Sequence, residues 1–254
     1  KDFELFDRPL PFVVINLLAG MRSVSEKLDG WPERYREIPN ALRFDYGASD
    51  KAALAEAEKV LMAIGAVKEK HYWQFDYDPT EVLDQVVCSG CIPDHKSHQF
   101  YPTPASVAEK AIELAEIGPE HTCLEPSAGQ GGLADLMPKE RTQCVEISPL
   151  HCQILKAMGH NVTEADFLKL PVNGPFDRIV MNPPFSEGRW QAHLQHAAGM
   201  LAKDGRLVAI LPASARGKAV LEGFDHQYSA VMENQFAGTS VDVVILAAQR
   251  SNAA

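Results

Sequence analysis

The sequence has 254 residues, of which 46% are hydrophobic, and a formal net charge of −10. This length accommodates one large domain, or a medium domain and a small one, and no apolar run is long enough to span a membrane. Residues 1–99 and 100–254 each contain 12 basic and 17 acidic residues, so neither half has the basic surplus of a protein that binds nucleic acid tightly and without sequence preference.

The first 99 residues predict a small α+β region. The stretch DKAALAEAEKVLMAIGAV, residues 50–67, has helical spacing, and KEKHYWQFDYD, residues 68–78, alternates like a short hairpin. Residues 22–47 show no clear period. We place a linker at residues 93–99, and the pattern alone assigns no function to this region.

From residue 100 onward, short β-rich runs alternate with amphipathic segments. Thr103 and Pro104 predict a helix start, with the threonine hydroxyl as cap and the proline in the first turn. The helix ends near Gly118, and further helices are expected at about 131–137, 149–158 and 189–201. The intervening strands are TCLEP, TQCVEIS, NVTEADF, DRIVMN and GRLVAILP. This alternation predicts a parallel sheet, and the two strand-like runs within residues 227–249, joined through 237–240, predict an antiparallel hairpin at its end.

A glycine-rich segment, LEPSAGQGG at residues 124–132, follows one of these strands. Its glycines permit a tight turn and a close approach of the backbone to a nucleotide-like ligand. Glu125 at the strand end would repel a pyrophosphate and suits a cationic group, such as the amino group of an amino acid. A connector without a ligand is the alternative interpretation.

Two more acidic residues follow the next two strands. Glu146 is placed to accept hydrogen bonds from two ribose hydroxyls, and Asp166 could accept from an adenine amino group with Phe167 beside the ring. Each acid taken alone is more often a solvated turn residue. Three in series beside a glycine loop predict a pocket for an adenosine that carries an amino acid.

The apolar run ending at Met181 breaks into Asn182-Pro183-Pro184-Phe185. Ligands of open α/β sheets bind outside the carboxyl ends of the strands, so this tetrapeptide should face the same crevice. The Asn182 side-chain carbonyl and the Pro183 backbone carbonyl can both accept from one NH₂ group, which draws the nitrogen lone pair out of conjugation. The prolines fix these acceptors in advance, and Phe185 offers a face to a planar substrate.

With these motifs, residues 100–250 resemble DNA adenine-N6 methyltransferases, in the order of the gamma class: FYPTP, LEPSAGQG, VEIS, ADF and NPPF. The resemblance implies an α/β, Rossmann-like methyltransferase fold with a mostly parallel seven-stranded sheet that ends in an antiparallel hairpin, and S-adenosylmethionine as cofactor. It implies a methyltransferase domain at 100–254 behind the α+β region at 1–99. The catalytic residues would be Asn182, Pro183, Pro184 and Phe185. The cofactor would contact Tyr101, Thr103, Pro104, Glu125, Pro126, Ser127, Gly129, Gly131, Glu146, Ile147, Asp166, Phe167 and Asn182.

The implied reaction is direct methyl transfer to N6 of a flipped-out adenine in DNA. The tetrapeptide is shared with RNA and protein-glutamine methyltransferases, so these activities are alternatives. An inactive binding module of the same fold is a further alternative. The FYPTP motif favours DNA as the substrate. A gamma-class enzyme usually has a sequence-reading domain after the catalytic one. Here residues 1–99, a homodimer or a separate specificity partner would take that role, in a restriction–modification, mobile-element or host setting. Arg216, Lys218 and Arg189 are candidate nucleic-acid contacts; a solvated turn is the alternative interpretation of Arg216 and Lys218.

Five cysteines and no recognisable signal peptide predict free thiols and a cytoplasmic location. Cys88, Cys91, His95 and His98 are zinc-ligand types, but only three residues separate the two pairs, which strains a tetrahedral site. We therefore expect no metal. His193 and His196, on a predicted helix, are interpreted as partly buried structural residues.

Overall fold

The computed structural model describes residues 6–45, 47–93, 100–236 and 240–251. The chain divides into two compact units, one of residues 1–97 with 156–158 and the other of residues 98–155 with 159–254. The expected linker at 93–99 lies almost wholly outside the described residues.

The described residues of the N-terminal unit form three helices and six strands. The helices are α1 (Phe12–Ala19), α2 (Lys51–Ala63) and α3 (Thr80–Ser89), and the strands are β1 (Asp7–Pro9), β2 (Arg22–Leu28), β3 (Arg34–Arg43), β4 (Val67–Lys68), β5 (Trp73–Gln74) and β6 (Cys91–Pro93). One sheet has the order β2-β3-β5-β4, and β1 pairs with β6. The predicted helix α2 is present. The Asp50 carboxylate caps it by accepting from the N–H groups of Ala52 and Ala53.

The hairpin of β2 and β3 is the main element that sequence patterning missed. The two strands pair antiparallel, with a register shift between Ser23 and Ser25. Most side chains along β2 and the first half of β3 are exposed. Because neither face is buried there, the sequence carries no alternation of apolar and polar residues to reveal the strands.

The C-terminal unit is built on a seven-stranded sheet. Its strands are β7 (Cys123–Glu125), β8 (Thr142–Glu146), β9 (Asn161–Glu164), β10 (Phe176–Met181), β11 (Leu201–Pro212), β12 (Phe224–Tyr228) and β13 (Val243–Arg250), and its helices are α4 (Ala105–Ala115), α5 (Pro149–Ala157) and α6 (Arg189–Gly199). The order is β12-β13-β11-β10-β7-β8-β9. β7 to β11 run parallel, while β13 is antiparallel to both β11 and β12. The predicted mostly parallel sheet with antiparallel strands at its end is confirmed.

Successive apolar side chains of β10 pack on opposite faces of this sheet. Ile179 and Met181 belong to one buried cluster, which also contains Leu194 of α6. Val180, on the opposite face, packs in a second cluster with Val107 of α4. The period of two along a strand therefore places helices on both sides of the sheet.

Two elements of this unit have different bounds in the structure from those predicted from the sequence. The helix expected at 131–137 is a single 3₁₀ turn, Ala134–Leu136, because three glycines precede it and Pro138 follows. The first strand of the terminal hairpin is β12 at 224–228, earlier than expected, and Met232 forms only an isolated bridge to Val243. Of the expected joint at 237–240, residues 237–239 lie outside the described residues. No helix in the described part of the chain is long and apolar enough to cross a bilayer.

Candidate active site

The carboxyl ends of β7 and β10 form the topological switch point of the sheet. β7, β8 and β9 extend to one side, and the chain then returns to the other side of β7 to form β10 and β11. Ile179 pairs with Leu124 in the parallel register, β7 ends at Glu125, and β10 ends at Met181. The glycine loop and the NPPF segment therefore both leave the sheet where open α/β folds bind their ligands.

The glycine loop has backbone conformations that favour glycine. Gly129 has φ of +54° and Gly131 has φ of +91°. A Cβ atom on Gly129 would lie 2.6 Å from the ring of Phe100, and one on Gly131 would lie 3.3 Å from the side chain of Leu155. At residue 129, both the dihedral angle and the close approach of the Phe100 ring thus require glycine.

Glu125 is a buried acid with one uncompensated oxygen. The residue is 2% exposed, and its Oε2 atom has no hydrogen-bond partner among the described residues. Burial raises the pKa of this carboxyl well above its usual range; a hydrogen bond from the Ala134 N–H opposes the shift, and the charges of Glu146 and Asp135 reinforce it. A cationic group beside Oε2 would compensate both the burial and the repulsion, so the site fits the amino group of an amino acid.

Glu146 is also buried, but its carboxylate is compensated. Its oxygens accept from the backbone N–H of Gly129 at 2.7 Å and from that of Ser148 at 2.8 Å. His151 Nδ1 lies 3.7 Å from Oε1. Burial acts to raise the pKa of Glu146, but the His151 interaction and the two backbone donors outweigh it and the pKa is lowered. An ionised carboxylate has about four acceptor sites, so capacity for two ribose hydroxyls remains.

Asp166 lies just beyond β9 and caps the short 3₁₀ turn Phe167–Lys169, where it accepts from the Leu168 N–H at 3.1 Å. Its carboxylate is 4.0 Å from the Arg189 guanidinium. The Phe167 ring is only 3% exposed and its described ring contacts are with histidines of α6. The assignment of this pair to adenine binding stays a prediction.

The expected role of Thr103 as a helix cap is wrong. Helix α4 begins at Ala105, its N-cap position is Pro104, and no side chain in the described part of the protein caps it. The Thr103 hydroxyl instead accepts a hydrogen bond of 3.1 Å from the side-chain NH₂ of Asn182. This bond connects the YPTP and NPPF motifs, which are 79 residues apart, and turns the carbonyl end of the Asn182 amide away from Thr103.

The remainder of the tetrapeptide is held by packing. Pro183 is buried, and Pro184 and Phe185 are half-buried. Phe185 and Tyr101 both pack against the apolar cluster between α4 and the sheet. The aromatic ring beside Asn182 is thus fixed on one side by the core while part of its surface stays accessible.

Comparisons with known proteins agree with this architecture. Residues 133–237 match the family model described as "Methyltransferase small domain". A modification subunit of a candidate type I restriction enzyme from Vibrio vulnificus YJ016 superimposes with a TM-score of 0.51 at 15% identity, over 75% of this chain and 60% of that one. Residues 100–250 have the fold of an S-adenosylmethionine-dependent methyltransferase. The match and the fold together indicate a methyltransferase.

Two further solved structures are also similar to this chain. TrmN from Thermus thermophilus has a TM-score of 0.48 at 18% identity, over 82% of this chain and 70% of that one. A candidate RNA methyltransferase from Pyrococcus horikoshii has a TM-score of 0.48 at 20% identity, over 60% of this chain and 86% of that one. No curated protein sequence matches the chain.

The candidate nucleic-acid contacts of the methyltransferase domain differ in exposure. Arg216 and Lys218 are exposed in the loop that follows β11, on the side of the sheet where β10 also ends. Arg189 has a side chain only 19% exposed, at 4.0 Å from Asp166. Its described position therefore relates it to the pocket of Asp166 more than to an open surface.

His193 of α6, which the sequence analysis interpreted as a partly buried structural residue, contacts the glycine loop. It is 3% exposed, and its Nδ1 lies 3.2 Å from the hydroxyl of Ser127 in the glycine loop. Burial lowers its pKa to about 4, and nearby Arg189 acts in the same direction. The only sequence signal was a histidine on the helix after NPPF, which does not reveal its partner.

The cysteine–histidine cluster adds no site within the described residues. Cys88 and Cys91 are free thiols, and Cys91 Sγ lies 3.7 Å from an Asp7 carboxylate oxygen. His95 and His98 lie outside the described residues. Among the residues that are described, no group of three or more histidine, cysteine or acidic side chains could hold a metal ion.

Proposed function

We propose that this protein transfers a methyl group from S-adenosylmethionine to N6 of adenine in DNA. The observation that carries the proposal is the hydrogen bond between Thr103 and Asn182. It joins the motif expected at the cofactor to the motif expected at the substrate amine. An inactive binding module would not require this coupling of a polar amide to a hydroxyl at the switch point of the sheet.

The cofactor pocket follows from the three acids. Glu125 would receive the amino group of the methionine part, because its buried Oε2 lacks a partner among the described residues. Glu146, ionised and held by the Gly129 N–H, would accept from the ribose hydroxyls. Asp166, at the end of the next strand, would lie near the adenine ring. When bound in this pocket, S-adenosylmethionine supplies an electrophilic methyl group on a sulfonium centre.

The NPPF segment would prepare the attacking nitrogen. The Asn182 side-chain oxygen and the Pro183 carbonyl accept from the two N–H bonds of the target NH₂ group, which localises the nitrogen lone pair. In the proposed transfer the nitrogen would form a bond to the methyl carbon as the carbon–sulfur bond breaks, the electron pair would stay on sulfur, and the nitrogen would then lose a proton to solvent. The fixed acceptors supply electrostatic stabilisation without a covalent enzyme intermediate.

Adenine in duplex DNA is stacked, so the base would have to be flipped into this crevice, where Phe185 offers a face for stacking. Arg216 and Lys218, which are exposed, would contact phosphates of the DNA. The choice of DNA rests on the order of the motifs and on FYPTP. The structures similar to this chain include RNA methyltransferases as well as a restriction-enzyme subunit. Their sequence identities to this chain are low, so they do not distinguish between these substrates.

The test supplies labelled S-adenosylmethionine together with unmethylated DNA, total RNA or a cell protein extract, and identifies the product by mass spectrometry. N6-methyladenine from DNA supports the proposal. Label only in RNA or protein overturns the substrate while the amine chemistry stands. No label in any arm, with cofactor bound, would favour an inactive module or a missing specificity partner and would contradict activity of this chain alone.

Two variants make the assay specific to the NPPF segment. Asn182→Ala removes the acceptor oxygen and should lower transfer by at least about 100-fold while the cofactor still binds. Asn182→Asp keeps acceptor oxygens in the same place and should retain measurable transfer. Equal activity in the Ala variant and the natural protein would remove Asn182 from the mechanism.

A further inference from the structure

One residue of helix α6 contacts two of the cofactor motifs. His193 Nδ1 is 3.2 Å from Ser127 Oγ in the glycine loop. The His193 ring also lies 5.5 Å, between centroids, from that of Phe167. Since α6 starts directly after the NPPF segment, His193 joins the helix behind the catalytic loop to both the LEPS and ADF motifs.

The other ring nitrogen of His193 indicates which tautomer is present. Its Nε2 atom is buried without a hydrogen-bond partner in the described part of the chain. A neutral imidazole has one N–H donor and one acceptor nitrogen. Unpaired buried N–H groups are rarer in proteins than under-satisfied acceptors, as backbone groups demonstrate. The lower-cost arrangement therefore has the proton on Nδ1, with Nε2 as the unpaired acceptor.

This tautomer determines what Ser127 can do. If Nδ1–H donates to Ser127 Oγ, the serine hydroxyl hydrogen is free to point elsewhere. Ser127 is only half-buried, and it follows the carboxyl end of β7, as Asn182 follows that of the neighbouring parallel strand β10. The Ser127 hydroxyl is then a neutral donor available to a group bound at the carboxyl end of the sheet.

A hydroxyl donor suits one part of the expected cofactor. The carboxylate of its methionine part would lie near the amino group that we assign to Glu125. Glu125 repels a carboxylate, so this group needs donors from elsewhere in the loop. We propose that His193 is a positioning residue that holds the Ser127 hydroxyl as a hydrogen-bond donor to the carboxylate of S-adenosylmethionine; this inference rests on the proposed cofactor, but not on the proposed DNA substrate.

The experiment compares variants that mimic different ring nitrogens. Asn places its side-chain NH₂ near the position of Nδ1, whereas Gln places it near Nε2. His193→Asn should therefore bind S-adenosylmethionine within about threefold of the natural affinity, while His193→Gln and Ser127→Ala should each weaken binding roughly tenfold or more. Binding is measured by calorimetry without DNA. The double variant Ser127→Ala/His193→Gln should be no weaker than the weaker single variant, because both remove one interaction.

A matched control lies one turn along the same helix. His196 packs edge-on against Phe167, with ring centroids 4.8 Å apart, and its described contacts do not include Ser127. His196→Asn should leave cofactor affinity unchanged within about twofold, and so separates packing on Phe167 from the Ser127 contact. Nitrogen-15 NMR of the natural protein should show His193 protonated at Nδ1.

The outcomes distinguish the two proposals. Equal loss of affinity in the Asn and Gln variants, additive losses in the double variant, or a proton on Nε2 would overturn the role of His193 while cofactor binding stands. Absence of cofactor binding by the natural protein would overturn both. Binding that follows the expected pattern without DNA methylation would support the His193 inference and contradict the substrate alone.

Discussion

The side-chain amide of Asn182 donates to the hydroxyl of Thr103 across 3.1 Å. The first residue belongs to the loop after β10, and the second precedes α4. Because an amide that gives its NH₂ to a fixed partner has its carbonyl directed elsewhere, this bond sets the orientation of the group that we assign to substrate activation. The YPTP motif thus contacts the NPPF motif directly.

Replacing Thr103 with Val should impair transfer more than binding. Valine keeps the shape of threonine but cannot accept from Asn182, so the amide is free to rotate and the acceptor is misplaced. We expect kcat to fall roughly 10- to 100-fold with a smaller change in cofactor affinity. Steady-state kinetics and calorimetry measure the two effects. Thr103→Ser keeps the hydroxyl and should stay close to natural activity, and a Ser variant as impaired as Val would contradict the role of the bond.

In the cofactor-free protein, we expect the buried Glu125 carboxyl to lower the free energy of unfolding as the pH rises. Its pKa is raised on folding by burial, so the stability it contributes is present below the pKa of the unfolded chain and is lost as the pH rises toward the folded value. Glu125→Gln removes this titration. We expect the variant to have a higher Tm than the natural protein at pH 8 and to lose less stability between pH 5 and pH 8.

The same substitution should weaken S-adenosylmethionine binding, roughly 10- to 100-fold, because a neutral amide pairs poorly with an ammonium group. Since the buried acid must ionise to pair with that group, cofactor binding by the natural protein should also release a proton. Calorimetry at pH 6 in buffers of different ionisation enthalpy detects this release. A Gln variant that is less stable yet binds normally would contradict both expectations.

His193 should make the protein sensitive to acid. Its pKa falls from 6.5 to about 4 on folding, so the unfolded chain takes up a proton between these values that the folded protein does not bind. Stability should therefore be full above pH 6.5 and fall as the pH is lowered toward 4, by up to about 3 kcal/mol from this group. The charged or titratable groups around it are Arg189, Asp166 and His196.

The measurement is denaturant unfolding at several pH values. His193→Asn removes the titration, so its free energy of unfolding should vary less between pH 6.5 and 4 than that of the natural protein. The same slope in both proteins would show that other groups account for the acid sensitivity.

Gly129→Ala should disturb the cofactor loop in two separable ways. The positive φ costs an L-residue about 1–2 kcal/mol, and the new methyl group would lie 2.6 Å from the Phe100 ring. We expect reduced stability and weaker cofactor binding. The double variant Gly129→Ala/Phe100→Leu relieves the contact but not the dihedral strain, so it should recover part of the loss. Thermal unfolding and calorimetry test this, and unchanged binding in the single variant would contradict a role for the loop.

Local patterns determined most of the regular structure. The helices α2, α5 and α6 and the parallel strands β7 to β11 follow from apolar periodicity, because the buried faces of a helix or strand repeat at fixed intervals along the chain. The glycine loop and the NPPF segment were legible for a similar reason, since each motif is contiguous and its residue types restrict the backbone conformation directly.

Only the tertiary structure decided which distant side chains meet. Thr103 looks like a helix cap in the sequence, yet its hydroxyl bonds Asn182 once β10 and α4 are adjacent. His193 looks like a core histidine in the sequence, yet it contacts Ser127, which follows the end of β7. The sequence of the β2–β3 hairpin shows no alternation of apolar and polar residues because neither face is buried along β2 and the first half of β3. Burial of one face of a helix or strand requires apolar residues at regular intervals, so it can be predicted from the sequence. A hydrogen bond between side chains far apart along the chain depends on strand order and produces no local sequence pattern.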